Sequence, residues 1–72
     1  MAAPLRDIVR AFEAMGGVVE SPKKGSHWKA KMGGKSYPLP AHNGERSEIR
    51  DLYIKGLCRC FDIDESEFRK KL

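Results

Sequence analysis

The sequence predicts an α+β domain of order α-β-β-β-α with a short extra C-terminal helix, on three observations. Leu5, Ile8, Val9, Phe12 and Met15 recur at helical spacing near the start, and Ile49, Leu52, Tyr53, Leu57, Cys60 and Phe61 do so further on. Between them, residues 26 to 42 alternate in the manner of strands and are broken by Gly33-Gly34. Consecutive strands joined by short turns usually pair as an antiparallel meander. The expected architecture is therefore a three-stranded antiparallel sheet with both main helices on one face.

Each element has its own local justification. Pro4 suits the first turn of a helix and Gly16-Gly17 stops the apolar pattern, so helix one is placed at about residues 4 to 15. Val18 and Val19 open a short first strand that ends at Ser21-Pro22, in a loop running through Lys23-Lys24-Gly25. From Ser26 to Met32 the residues Trp28, Ala30 and Met32 fall on one side and His27, Lys29 and Lys31 on the other, which turns His27 away from the core. Gly33-Gly34 is a two-residue hairpin turn, and Lys35 to His42 continues extended, with Pro38 and Pro40 confining that strand to an edge. After Asn43-Gly44, Ser47 is the expected N-cap of helix two, with Glu48 and Asp51 in its first turn. Asp64 and Glu67 have capping-box spacing and Ile63 and Phe68 staple spacing, so a short helix is expected over about 65 to 71.

A chain of 72 residues is a single domain (1-72), with a core over 4-61 and a C-terminal extension over 62-72. Such a chain buries only about 60% of its unfolded surface. Any chemistry is then expected on an open face or in a shallow cleft, which points away from dehydrogenases and most metabolic enzymes. The net charge is +4, yet Lys23, Lys24, Lys29, Lys31 and Lys35 lie together with no acid among them, while Asp62, Asp64, Glu65 and Glu67 cluster near the end. A segment of that kind attracts polyanions. Cys58 and Cys60 are too few and too close for a disulfide framework, and no signal peptide or membrane span is evident, so the expected location is cytoplasmic.

His27 is the sharpest candidate for chemistry, because an unperturbed imidazole both accepts and donates a proton near neutral pH. Lysines beside it would hold a phosphodiester. In metal-free RNA cleavage a base takes the ribose 2′-OH proton, the oxygen attacks phosphorus, and an acid protonates the leaving 5′-oxygen. Cations stabilise the charge that builds on phosphoryl oxygens. The plainer reading is an ordinary exposed histidine among lysines that keep the strand soluble. His42 is either a second proton-transfer group or a turn residue next to Asn43-Gly44. No metal site is expected, since the two histidines are far apart in sequence and no carboxylate lies in the basic segment. Cys58 and Cys60 differ by about 200° around a helix and cannot converge on one ion, and Cys60 belongs to the apolar stripe. Lys23-Lys24-Gly25-Ser26 lacks the spacing and the following helix of a phosphate-binding P-loop.

Lys24-Gly25-Ser26-His27, following an amphipathic helix, Gly16-Gly17 and a short valine strand, resembles the HicA family of toxin-antitoxin ribonucleases. The resemblance covers about residues 5 to 61. It extends to Pro40-Ala41-His42, which matches the family's strand-ending Pro-x-His, and to the position of the long second helix. It implies a fold like that of double-stranded-RNA-binding domains, cleavage of mRNA without a cofactor, and His27 as the catalytic residue. It also implies a HicB-type antitoxin that covers this histidine. The candidate RNA-binding residues are Lys24, Gly25, Ser26, Lys29 and Lys31. The chain departs from the family at Trp28, where many members carry another residue, and in its segment after the second helix. The competing function is a non-catalytic RNA-binding module that grips phosphates and 2′-hydroxyls with the same basic face.

Overall fold

The computed structural model describes residues 2–72. Its elements in order are β1 (Ala3–Pro4), α1 (Leu5–Ala14), β2 (Val18–Glu20), β3 (His27–Met32), β4 (Lys35–Pro40), a 3-10 turn (Gly44–Arg46), β5 (Glu48–Ile49), α2 (Asp51–Cys60) and α3 (Glu65–Lys70). The protein is a small α+β fold whose main sheet is a three-stranded antiparallel meander of order β2-β3-β4. A second, two-stranded ribbon joins β1 to β5.

Register and burial in the meander follow from its alternation. Trp28 pairs with Leu39, and Ala30 lies between Val19 and Tyr37. These residues face the core, with Ala30 and Leu39 fully buried among Leu5, Ile8, Phe12, Ile54 and Leu57 of the helices. The β3–β4 connection is Gly33-Gly34 between Met32 and Lys35, and both glycines have positive φ (60° and 82°), as the tight hairpin turn compatible with strand twist requires. Strand β4 is an edge, as its prolines require. The Ala41 amide donates to the Ser26 carbonyl at 2.6 Å, so by alternation the backbone of Leu39 also addresses β3 while Pro38 and Pro40 turn their nitrogens to the open side. No ladder hydrogen bond is lost to either proline.

The segment before α2 differs from expectation. Ser47 is not an N-cap: it is buried, its Oγ accepts from the Asn43 amide at 2.8 Å, and its carbonyl accepts from the Leu5 amide at 2.8 Å. Glu48 and Ile49 then pair with Pro4 and Ala3 as β5, and the helix starts only after Arg50. Pro4 is correspondingly the residue before α1, extended at ψ 146°, and not its first helical residue. Two-residue strands have too few positions to show a period, which is why the ribbon left no pattern to read.

The late start rotates the stripe. Counting from Ile49 placed Leu52 and Cys60 in the core. Because Ile49 belongs to a strand, the buried set of α2 is instead Ile54, Leu57 and Cys58, while Leu52 is 72% exposed and Cys60 half-buried. Gly56 lets α2 close on β4: a Cβ there would overlap the Tyr37 hydroxyl and come within 2.7 Å of its Cζ. Burial raises the pKa of the Tyr37 phenol at this contact. At the helix end Lys35 Nζ donates to the Cys60 carbonyl at 3.3 Å.

The residues after α2 contribute to the same core. Asp64 caps α3 by accepting from the Glu67 amide at 3.1 Å, and this bond holds its carboxyl below the usual range. Ile63 packs against the core and Phe68 is fully buried in it. Arg69 ties α3 to the start of α2 through Asp51 (2.5 Å) and also pairs with Glu65 on its own helix (2.8 Å). Among the described residues no helix is long and apolar enough to cross a membrane.

Two measurements check this packing. Urea melts of Leu52→Lys should stay within about 0.5 kcal/mol of the parent, whereas Ile54→Ala should cost about 2–5 kcal/mol. The reverse ranking would mean that α2 presents its other face to the sheet. Phe68→Ala should cost about 3–5 kcal/mol, and a loss near zero would show that α3 is dispensable for the fold.

Candidate functional site

The face of the sheet turned away from the helices is built by the strand register. It sets His27 opposite Pro40, Lys29 between Glu20 and Pro38, and Lys31 between Val18 and Ser36. His27, Lys29 and Lys31 are all exposed, which is the phase read from the alternation. The loop from Ser21 to Ser26 folds beside the start of β3, so that Lys23, Lys24, His27, Lys29 and Glu20 line one open depression. Gly25 makes the bend possible at φ 85°, a conformation that side-chain-bearing residues seldom adopt. Ser26 is half-buried, and its carbonyl anchors the loop to Ala41.

Lys31 does not belong to that group in the same way. It lines an adjoining depression toward the β3–β4 turn, which shares Glu20 with the first and adds Gly16, Val18, Met32 and Lys35, and its Nζ lies 2.9 Å from the Glu20 carboxylate. The hydrogen bond and charge of Lys31, with a smaller effect of Lys29, hold the Glu20 carboxyl below its ordinary value of 4.5. The pair is therefore intact at neutral pH and is lost only as pH falls through the lowered folded value. In the sequence Glu20 lies just before the lysine run that starts at Lys23. What brings Glu20 back among the lysines is the pairing of β2 with β3, a contact that a linear charge count does not include.

His42 is exposed and lines a third depression, with Pro40, Glu48, Ile49, Arg50 and Tyr53. Arg50 and Glu48 in this group carried no signal as site residues, because the sequence placed them at the start of a helix. Ile49 is buried at 1% exposure, so Glu48 and Arg50 on either side of it turn outward together. Among the described residues no three His, Cys, Asp or Glu side chains converge as a metal-ligand set. Cys58 and Cys60 are both free thiols, and burial pushes the Cys58 thiol up.

The uncovered face thus offers an imidazole flanked by lysines and an ion pair, while a separate depression bounded by Pro40 holds a histidine, a glutamate and an arginine, both in shallow and solvent-open surroundings. Such a surface suits a polymeric anion better than a small molecule, which needs enclosure for affinity. No family model, curated protein or solved structure matches the chain.

Glu20 gives a direct test of the electrostatics of this face. Glu20→Gln should release Lys31, tighten binding of a short single-stranded RNA at low salt, and steepen the slope of log affinity against log salt by roughly 0.7, the increment for one added phosphate contact. An unchanged slope in anisotropy titrations would place the polyanion away from Lys31.

Proposed function

We propose that this chain is a metal-independent endoribonuclease of the HicA kind, the mRNA-cleaving toxin of a type II toxin-antitoxin pair, with His27 as a catalytic acid-base residue. The observation that carries the reading is the exposure of His27 on the uncovered sheet face, between Lys24 on the preceding loop and Lys29 two residues on. Supporting it are the order α1-β2-β3-β4-α2, which is that of a double-stranded-RNA-binding domain, and the sequence Lys24-Gly25-Ser26-His27 at the entry to the central strand. A HicB-type antitoxin is the proposed protein partner, neutralising the toxin by covering this face.

The proposed chemistry needs proton transfer and charge stabilisation only. Imidazole removes the 2′-OH proton, and the freed oxygen attacks the adjacent phosphorus. Lys24 and Lys29 stabilise charge on the phosphoryl oxygens, and the backbone of Gly25 and Ser26 shapes the loop that presents Lys24. Lys31 is a further proposed phosphate contact, its ammonium lying 2.9 Å from the Glu20 carboxylate.

One observation favours the second reading, a non-catalytic RNA-binding module. The depression around His27 contains lysines and a glutamate already paired with Lys31, but no second histidine. His27→Ala separates the two readings. Its ring is exposed, so the variant should melt within about 0.5 kcal/mol of the parent, and it should retain RNA and antitoxin binding while cleavage falls about 10²–10⁴-fold. Parent activity should survive excess chelator unchanged. A variant that still cuts at the parent rate would leave RNA binding as the function; loss of activity in chelator, restored by magnesium or zinc, would replace the proton-transfer mechanism with a metal-assisted one.

A further inference from the structure

Cleavage through a 2′-OH needs two proton transfers, one to remove a proton from the nucleophile and one to supply a proton to the leaving oxygen. His27 supplies one. The partner for the other is placed by the strand pairing. His27 lies directly opposite Pro40, and the Ala41 amide, bonded to the Ser26 carbonyl at 2.6 Å, carries the β3–β4 pairing one step further before the chain turns. Ala41 points inward, at 4% exposure, so the next residue on the outer side after Pro40 is His42. His42 follows in the turn that ends β4, and Pro40, the residue opposite His27, is also a wall of the depression in which His42 lies. Two imidazoles acting on one phosphodiester laid across Pro40 would each have to come within about 2.6–3.2 Å of its own oxygen.

The surroundings of His42 complete the arrangement. Pro40 is a wall of its depression, and Glu48 and Arg50 are the charged groups of the remaining wall, beside Tyr53. Arg50 brings a guanidinium fork suited to two phosphoryl oxygens. Glu48 brings a carboxylate able to accept a ring N–H of His42 and so orient the ring.

We propose that His42 is the general acid of the cleavage reaction and that the His42–Glu48–Arg50 depression is the leaving-group half of an active site shared with His27 across Pro40. This rests on the ribonuclease reading above. In the reaction the 2′-OH proton passes to His27 as the O2′–P bond forms. The P–O5′ bond breaks with its electron pair going to O5′, and His42 gives O5′ a proton. The products are a 2′,3′-cyclic phosphate end and a 5′-hydroxyl end. Exchange of one proton with water returns both imidazoles to their starting states.

The test is a short RNA in which sulfur replaces the bridging 5′-oxygen at one linkage, compared with the ordinary RNA. A thiolate departs without protonation. His42→Ala, and His42→Gln as a second variant, should cut ordinary RNA about 10²–10⁴-fold more slowly than the parent and cut the sulfur-bridged RNA at close to the parent rate. His27→Ala should stay slow on both, and thermal melts should match throughout. Parent-like cleavage of ordinary RNA by the His42 variants, or a defect that persists on the sulfur substrate, overturns the role of His42 and leaves the ribonuclease reading standing. A parent protein that cuts neither RNA removes both.

Discussion

A one-residue slip of β3 against its neighbours would exchange His27, Lys29 and Lys31 for Trp28, Ala30 and Met32 on the outer face, because side chains alternate with a period of two. The rest of the molecule depends on that slip being forbidden. Ala30 is the centre of the constraint: it is fully buried, flanked by Val19 and Tyr37, and small enough to let the helices approach the sheet. Lysine in its place would bury a charge without a partner, which costs far more than any single surface contact returns. The Gly33-Gly34 turn fixes the same register independently through its two positive φ angles. Turn geometry and core burial therefore agree on one pairing, and the composition of the open face is its consequence.

A core this small leaves no element idle. Tyr37 reaches from β4 under α2 only because Gly56 has no side chain, and the ring is then held by the helix it supports. Phe68 arrives from beyond α2 and fills space in the same core cluster as Cys58 and Leu57. Arg69 secures that arrival by bridging Glu65 on its own helix to Asp51 at the start of α2. The N-terminal residues are held in the same economy of short contacts: the Ala3–Pro4 ribbon and the Leu5 amide both dock on Ser47 to Ile49, so the segment that precedes α2 also closes the start of α1. The outer face is left free of structural duties because the inner one carries them all.

Where the sequence was legible, a long periodic segment carried the information. The meander, its edge strand, the hairpin glycines, the exposed phase of His27 and the Asp64 cap were all readable, since each rests on local geometry or on an alternation of six residues. What was not legible depended on contacts between segments distant in sequence. Ser47 has the chemistry of an N-cap, but a partner at Asn43 and a ladder to Leu5 satisfy it first. That diversion moved the helix start to Asp51 and carried Leu52 out of the core with it. Glu20 entered the basic face in the same way, through strand pairing and not through sequence proximity.

Pro40 connects the structural and chemical sides of the molecule. A proline on an edge strand leaves no free amide for an incoming strand to pair with, so Pro38 and Pro40 together protect β4 from edge-to-edge association. Their nitrogens point to the open side, where nothing in the fold requires a donor. The same ring, with φ confined near −65°, stiffens the backbone between the position opposite His27 and the turn that carries His42. Two imidazoles that share one phosphodiester need a separation maintained to a fraction of an ångström, and misplacement by about 1 Å costs on the order of 10²-fold in rate. A flexible residue at position 40 would let the turn at His42-Asn43 wander relative to β3. The proline that guards the edge is thus also the element best suited to hold constant the distance on which the proposed chemistry depends.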